Sequence, residues 1–314
     1  MDHLKSSTPN EQYSWGEIRP ITTKEEVAIK QKLATINPLS DKAFKIALSD
    51  EDFFTLITEE ILGRKLEEGM ISYNGELVFT VKGKEIRLDN LRKFPKEWVD
   101  MEGQQQTDDF PFERHLYYWA SIYAQGIDAG MNFSELLPVT VIVIYRDKGE
   151  SPAVETSSLG GSLAIKAGKS KHLQLIAVNA AKWNDVKSEI LKIYLAYLHL
   201  GLLDNEKPEL FTGIDLNSRT AKDIRQRLAN SCKYSLLEIF KEEGDERMEA
   251  VYGEILTREG EARGEARGEA RGEARGEIRG KATVLYQRLK MSPEEIAKEL
   301  NQKVDDIKAI ISNL

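Results

Sequence analysis

The segment from Pro138 to Tyr145 constrains the fold more than any other part of the chain. It reads Pro-Val-Thr-Val-Ile-Val-Ile-Tyr, almost continuously apolar and rich in β-branched residues. Such a run predicts a strand that is buried on both faces. Helical spacing is present at residues 41–62 and 114–126, and strand patterns lie between these segments at residues 70–104. The order helix, three strands, helix, buried strand predicts an α/β fold with a mixed sheet.

Composition limits the classes of protein to which this chain can belong. No apolar run approaches the roughly 20 residues needed to span a bilayer. The polar start of the chain lacks the apolar core of a secretory signal. The single cysteine, Cys232, excludes an intrachain disulfide framework and is typical of a reducing environment. We therefore expect a cytoplasmic protein without a membrane partner.

Charge and histidine spacing narrow the candidate chemistry. The formal net charge of −8 argues against a broad basic surface for nucleic acid. A bound metal ion can still neutralise an acidic site locally, so a nuclease is compatible with this charge. The four histidines show no close spacing with one another or with the cysteine, and no zinc site is predicted.

Two acidic residues, Asp89 and Glu102, lie 13 positions apart in neighbouring strand patterns. Side chains at positions i and i+2 of a strand point to the same face, so Asp100, Glu102 and Gln104 are predicted to project together. Pairing of the strands would bring Asp89 alongside Glu102. Two carboxylates with waters are a common ligand set for a hard divalent cation such as Mg²⁺. The alternative interpretation is that both are ordinary solvated strand residues.

The helix predicted at residues 114–126 carries a second candidate group. Four polar residues fall nearly on one line at about 100° per residue; they are Arg114, Tyr118, Ser121 and Gln125. The buried stripe of the same helix is predicted to contain Leu116, Trp119, Ala120 and Tyr123. A guanidinium, a phenol and an amide in one row could contact phosphates beside the carboxylates. Simple solvent exposure of the row is the alternative.

Short motifs follow one another along residues 41–139. They are Asp41-x-x-Phe44-Lys45, Leu88-Asp89, Asp100-Met101-Glu102-Gly103-Gln104, Arg114-x-Leu116-Tyr117-Tyr118-Trp119 and Leu137-Pro138-Val139. In this order they resemble the recombination-promoting nuclease, or putative transposase, family. That family is similar to the PD-(D/E)XK nuclease superfamily and shares its restriction-endonuclease-like αβββαβ core. The resemblance covers about residues 37–200, and the C-terminal Gly-Glu-Ala-Arg tract is also typical of such proteins.

The resemblance implies a Mg²⁺-dependent endonuclease, with Mn²⁺ as an alternative metal, that hydrolyses DNA during recombination or transposition of mobile elements. It makes Asp89 and Glu102 the acidic metal ligands, and the backbone carbonyl of Gly103 would complete the metal shell. Gln104 stands where the superfamily pattern has lysine, and it can orient the attacking water without supplying charge. Asp41 becomes the upstream acidic residue on the first helix.

The same resemblance assigns DNA binding to the second candidate group, with Arg114, Tyr118 and Gln125 on the phosphate backbone. Two departures touch the metal site: Asn90 stands where the family usually has an aliphatic residue, and Gly103 is smaller than the common occupant. The alternative function is a catalytically degenerate nuclease fold that acts as a DNA-binding or oligomerising scaffold. A third hypothesis is a DNA-binding regulator that acts through its C-terminal helices.

The chain is predicted to have a nuclease-like domain with a helical layer at residues 37–250, preceded by an N-terminal arm at residues 1–36. Residues 155–170 within that domain are predicted to be a loop. A linker helix of Gly-Glu-Ala-Arg repeats follows at residues 251–282, and a C-terminal helical pair at residues 283–314. Either the repeat packs against a partner copy or it is solvated. The helical pair is predicted to pack or to form a homodimer.

Overall fold

The computed structural model describes most of the chain. The described residues are 21–67, 71–72, 77–81, 84–105, 112–127, 129–159, 162–169, 171–287 and 289–312. They form two compact units, of which the first ends at Glu246 and the second begins at Arg247.

The first unit alternates helices and strands. Its α-helices are α1 (Thr23–Thr35), α2 (Asp41–Leu48), α3 (Glu51–Leu62), α4 (Phe112–Gln125), α5 (Ser162–Lys166), α6 (Glu189–Leu200) and α7 (Arg219–Glu243). Its strands are β1 (Ile71–Ser72), β2 (Leu77–Val81), β3 (Lys84–Leu88), β4 (Leu91–Phe94), β5 (Glu97–Gly103), β6 (Val139–Tyr145), β7 (Val154–Ser158) and β8 (Leu173–Asn179). The predicted α/β class is confirmed.

The main sheet is mixed and has the strand order β1-β4-β5-β6-β8-β7. Strands β5, β6 and β8 run parallel, whereas β4 and β7 pair antiparallel with their neighbours. Strands β2 and β3 form a separate two-stranded hairpin. All seven residues of β6 are buried, which confirms the strand predicted from the apolar run.

Two strand predictions need correction. The described residues between 71 and 103 form five strands, β1 to β5, rather than three, and Pro95 lies in the turn between β4 and β5. The predicted loop at residues 155–170 contains most of the edge strand β7 and the short helix α5. Residues 154–158 are mostly exposed, so this edge strand lacks the apolar alternation that would have predicted it.

Helices cover both faces of the sheet. Met101 of β5 and Ile144 of β6 pack in one apolar cluster with residues of α2, α3, α6 and α7. Val141 and Val143 of β6 pack on the opposite face with residues of α4. Successive residues of β6 therefore pack alternately in the two clusters, as the two-residue period of a strand requires.

Helix α4 is rotated relative to the prediction. Its buried residues are His115, Tyr118, Ser121 and Ile122. Leu116 and Ala120 are exposed, so two members of the predicted buried stripe and two members of the predicted polar row are wrongly placed. Helix α4 packs against β6 and β8, and its buried His115 lies beside the polar Gln104, which follows β5. An apolar pattern cannot identify polar side chains that are buried in this way.

The N-terminal arm is only partly described. Residues 1–20 lie outside the described part, whereas residues 23–35 form helix α1, which contacts α7. Thr22 caps this helix. Its side chain accepts a hydrogen bond from the backbone N–H of Glu25, and the Glu25 side chain accepts one from the backbone N–H of Thr22. The described residues 21–35 therefore belong to the first unit.

The second unit is entirely helical where it is described. It contains α8 (Glu246–Gln287), α9 (Pro293–Glu299) and α10 (Val304–Ile311). Helix α8 runs without interruption through the Gly-Glu-Ala-Arg repeats. Its C-terminal end packs with α9 and α10 around Ala282, Ile296 and Ile307. Ser292 forms a capping box with Glu295 at the start of α9. Of the helices in the described ranges, none is both long enough and apolar enough to cross a bilayer.

Candidate metal centre

The two predicted acidic ligands lie side by side where β3 ends and β5 passes it. The backbone N–H of Asp89 donates a hydrogen bond of 2.9 Å to Oε1 of Glu102. The backbone N–H of Gly103 donates one of 3.1 Å to Oδ2 of Asp89. Strand pairing contributes as predicted. Leu91 lies opposite Asp100 in the antiparallel β4–β5 pair, and the backbone N–H of Met101 donates to the carbonyl of Asn90. The same register places Asp89 opposite Glu102. The two hydrogen bonds hold the carboxylates together at this position.

A third carboxyl group, that of Asp100, lies beneath this pair. Asp100 is completely buried, and neither of its side-chain oxygens accepts a hydrogen bond of ordinary length from a described residue. Burial, followed by the negative charge of Asp89, raises the pKa of Asp100 to about 7. The amide nitrogen of the adjacent Asn90 is also buried without a partner among the described residues. The site therefore contains polar groups that the protein itself leaves poorly compensated.

The same causes act on the two predicted ligands. Burial, followed by the charges of Asp100 and Asp89, raises the pKa of Glu102 well above its usual range. Burial also raises the pKa of Asp89, although Lys45 opposes this shift. Closely spaced carboxylates in a buried site favour protons or a bound cation as compensation. The electrostatics of this corner of the fold, which is formed by Asp89, Asp100 and Glu102, thus fit a cation site.

Lys45 of α2 supplies a positive charge next to the acidic pair, a role that no sequence pattern assigned to it. Its Nζ lies 3.1 Å from Oδ1 of Asp89 and 3.1 Å from Oδ1 of Asp41. Burial opposes the ammonium charge, but the two carboxylates outweigh burial and raise the pKa of Lys45. Asp41 is thereby linked to the acidic pair while remaining largely exposed. The i, i+4 spacing of Asp41 and Lys45 on a helix is the signal that could have identified the link.

Gly103 presents its backbone to the acidic pair. Its N–H points to Asp89, and the C=O of a strand residue leaves the strand on the same side as the N–H. The carbonyl of Gly103 is thus directed towards the side on which Asp89 lies. This direction is compatible with the metal-ligand role that the family resemblance implies.

The side chain of Gln104 is directed towards α4. Its Oε1 lies 3.4 Å from Nε2 of His115, a residue that the sequence analysis did not single out. His115 is buried. Burial and, second, the neighbouring charge of Arg114 lower the pKa of His115 to about 4. The imidazole is therefore neutral at physiological pH. No sequence pattern pointed to His115, because its contact with Gln104 depends on how α4 packs.

Of the residues predicted to bind DNA, Arg114 and Tyr118 lie beside the acidic pair, whereas Gln125 lies far from it along α4. Nε of Arg114 donates a hydrogen bond of 2.9 Å to the hydroxyl of Tyr118, and its guanidinium lies over the Tyr118 ring. Burial opposes the charge of Arg114, but the hydrogen bond to Tyr118 and, after it, the charges of Glu102 and Asp89 raise the pKa of Arg114. Gln125 lies three turns further along α4, about 16 Å from Arg114 at 1.5 Å per residue. A role for Gln125 in DNA binding stays a prediction.

The donor set that remains for a metal consists of oxygen atoms. Nowhere in the described ranges is a group of three or more histidine, cysteine, aspartate or glutamate side chains arranged to hold a metal ion. Two carboxylates, from Asp89 and Glu102, and the carbonyl of Gly103 would instead leave several positions to water. Such a set suits Mg²⁺, which keeps several waters and binds through one or two carboxylates.

Comparison with known proteins adds no family assignment. No family model, curated protein or solved structure matches the chain. The functional interpretation therefore depends on the geometry of the site and on the motif resemblance.

Proposed function

We propose that the chain is a metal-dependent DNA endonuclease that hydrolyses phosphodiester bonds in the recombination or transposition of mobile elements. The observation that carries this proposal is the convergence of Asp89 and Glu102 through the hydrogen bonds from Asp89 N–H and Gly103 N–H. The antiparallel strands β4 and β5, followed by α4 and the parallel strand β6, support a restriction-endonuclease-like αβββαβ core.

The carboxylates of Asp89 and Glu102 and the carbonyl of Gly103 would hold the metal. A bound Mg²⁺ or Mn²⁺ polarises the scissile phosphate and lowers the pKa of a coordinated water. Because burial raises the pKa of both carboxyl groups, loading the site requires them to release protons. Metal binding is therefore expected to be stronger at alkaline than at acidic pH.

Two further side chains supply what the carboxylates cannot. Gln104 can form hydrogen bonds through its amide to the attacking water or to the phosphate, which is the role that the family resemblance implies for it. Lys45 brings a positive charge to the same corner, where it can stabilise the negative charge that develops on the phosphate. Lys45 thus provides the charge that Gln104 lacks, from a helix instead of from β5.

Arg114 is the group that would contact the DNA backbone. It is exposed, whereas Tyr118 is buried and accepts a hydrogen bond from it. A guanidinium held in a fixed orientation can bind a phosphate with two parallel hydrogen bonds. We therefore assign Arg114 to phosphate binding and Tyr118 to orienting the guanidinium.

A DNA-binding scaffold without catalysis is the second candidate, and one observation favours it. The ion pair between Lys45 and Asp89 occupies one oxygen of a proposed metal ligand. In a scaffold this ion pair would be permanent, and the acidic corner would be structural. The two candidates differ in whether the metal binds and whether the DNA is cut.

The C-terminal unit supports a homodimer as a further partner. Val284 and Leu289 are apolar and are exposed by 48% and 63%, respectively. Burial of such side chains against a second copy would be favourable at roughly 25 cal/mol per Å². The oligomeric mass of the chain with and without residues 283–314 tests this assignment.

Cleavage of supercoiled plasmid in Mg²⁺, in Mn²⁺ and in a chelator tests the endonuclease. We expect Asp89→Asn and Glu102→Gln each to reduce cleavage by at least about 100-fold. The exposed residue Glu150 provides the matched control, and Glu150→Gln should cut like the wild type. The scaffold is favoured if the wild type binds the plasmid but does not cut it. Equal cutting by all four proteins would rule out the proposed site.

Thermal unfolding with and without metal gives a second readout that does not require cutting. A metal that binds only the folded protein raises the unfolding temperature. We expect this increase in the wild type and in Glu150→Gln, and a much smaller one in Asp89→Asn and Glu102→Gln. An equal increase in all four proteins would place the metal elsewhere.

A further inference from the structure

On the basis of the endonuclease proposed above, we propose that His115 is a positioning residue that fixes the orientation of the Gln104 amide. In this arrangement the amide oxygen is turned towards α4 and the NH₂ group faces away from the imidazole. Gln104 then acts on the reacting groups as a hydrogen-bond donor. That is the capacity which a lysine at the same place would have, without its charge.

The contact between the two side chains requires one tautomer of His115. Oε1 of Gln104, an acceptor only, lies 3.4 Å from Nε2 of His115. Nε2 must therefore carry the proton for the contact to be a hydrogen bond. Because burial keeps the imidazole neutral, Nδ1 is then the unprotonated nitrogen.

Both partners are held by other parts of the fold. The backbone N–H of Gln104 donates a hydrogen bond of 2.8 Å to the carbonyl of Ile144 in β6. The His115 side chain is 2% exposed and meets the Tyr118 ring edge to face, with 5.9 Å between the ring centroids. Gln104 is thus fixed at its backbone by β6 and at its amide by α4. A long side chain held at both ends is pre-organised for its role.

The orientation of the amide also limits the role that Gln104 can have in the reaction. The Gln104 amide is neutral and not basic, so Gln104 does not take up the proton of the attacking water. Its NH₂ group can donate to a phosphate oxygen or to a lone pair of the water. Proton acceptance must then be performed by another group, and Gln104 serves orientation and charge stabilisation.

A double-mutant cycle separates positioning from simple packing. We would measure kcat and KM for cleavage of a duplex in Mg²⁺, and the unfolding midpoint, for His115→Leu and His115→Gln. Each substitution is made both in the wild type and in Gln104→Ala. A positioning role acts only through Gln104, whereas a packing role acts in both backgrounds.

We expect His115→Leu to lower kcat by about tenfold with KM unchanged, as is common for residues that orient a ligand or catalytic group. The effect should fall below about twofold in Gln104→Ala, because the residue to be positioned is then missing. His115→Gln keeps an N–H donor and should restore most of the lost activity. An equal loss in both backgrounds, or no loss in either, would overturn the proposal.

Nitrogen-15 spectroscopy of the full chain provides a readout that does not depend on cleavage. The imidazole of His115, identified by its disappearance in His115→Leu, should be the Nε2–H tautomer at neutral pH. In Gln104→Ala the Nε2–H resonance should shift, because the hydrogen bond to the amide oxygen is lost. A predominant Nδ1–H tautomer would overturn the proposal even if the protein cuts DNA. The predicted tautomer in a protein that does not cut would support the positioning of Gln104 and refute the endonuclease.

Discussion

Phe44 of α2 lies so close to Gly103 of β5 that no side chain fits between them. A Cβ atom built on Gly103 would lie 2.7 Å from Cδ1 of Phe44 and 2.8 Å from its Cγ. The close approach allows α2 to carry Lys45 to the end of β5, where it reaches Asp89. The small residue at position 103, noted above as a departure from the family pattern, is thus explained by contact with an aromatic ring.

Gly103→Ala is expected to destabilise the first unit because the buried Phe44 ring must move. Overpacking of this kind typically costs about 1–3 kcal/mol of unfolding free energy. Chemical denaturation measures the loss, and Phe44→Leu in the same chain should recover part of it. The matched control is Gly260→Ala on α8, where an added Cβ meets nothing within 4 Å. Equal stability of Gly103→Ala and the wild type would contradict the packing described.

Asp100→Asn is expected to stabilise the protein at pH 8 and to lose this advantage as the pH falls towards 4. The pKa of Asp100 is raised from 3.8 to about 7 in the folded state. A raised carboxyl pKa lowers stability as the pH increases between the two values, by at most about 1.4 kcal/mol per pH unit. Asparagine removes this penalty because it does not ionise. Denaturation curves at several pH values measure the difference.

The control for Asp100 is Asp185→Asn, which removes an exposed carboxylate. Its difference from the wild type should be small and should change little with pH. A difference for Asp100→Asn that is equally constant would show that Asp100 is already ionised in the folded protein at low pH.

Lys45→Met is expected to separate metal binding from catalysis. Loss of the ammonium removes the partner of Asp89 and leaves the corner more negative. Mn²⁺ should therefore bind more tightly, whereas cleavage should fall by at least about 100-fold because the phosphate charge is no longer stabilised. Calorimetric titration with Mn²⁺ and a cleavage assay measure the two effects, and the exposed Lys24→Met is the control. Weaker Mn²⁺ binding would mean that Lys45 maintains the geometry of the ligands.

Arg114→Ala is expected to weaken DNA binding in a salt-dependent manner. Removal of one phosphate contact should reduce the slope of log affinity against log salt by about 0.9. Tyr118→Phe, which removes only the hydroxyl that Arg114 contacts, should weaken binding less. Fluorescence anisotropy with a labelled duplex in a chelator measures both, with Lys187→Ala as the exposed basic control. An unchanged slope for Arg114→Ala would exclude Arg114 from the DNA-binding surface.

The elements that the sequence predicted well have a strong local pattern. The apolar run at residues 138–145 became the buried strand β6, and the helical spacing at residues 41–62 became helices α2 and α3. Strand β4 was missed because it is short and contains two cationic residues. One of them, Arg92, is 2% exposed, and its guanidinium donates to the carbonyl of Leu48 and lies over the Phe54 ring. These partners are distant in sequence, so no local rule places Arg92 in a strand.

The site shows the same division between local and tertiary information. The acidic residues Asp89 and Glu102 could be selected from the sequence because strand spacing and motif order point to them. Lys45 and His115 reach the site from helices, and their contacts depend on how α2 and α4 pack on the sheet. The packing of a helix against a sheet is set by many distant contacts, and a single sequence does not reveal it.

The uninterrupted course of α8 through its four-residue repeats has a geometric consequence. Four helical residues advance the chain by about 6 Å and turn it by about 400°, which is about 40° beyond a full revolution. Gain or loss of one Gly-Glu-Ala-Arg unit would preserve the helix while shifting and rotating α9 and α10 relative to the start of α8. Duplication or loss of repeats can therefore change the distance and the orientation of α9 and α10 from the start of α8 in fixed steps. The residues at the two ends of α8 need not change.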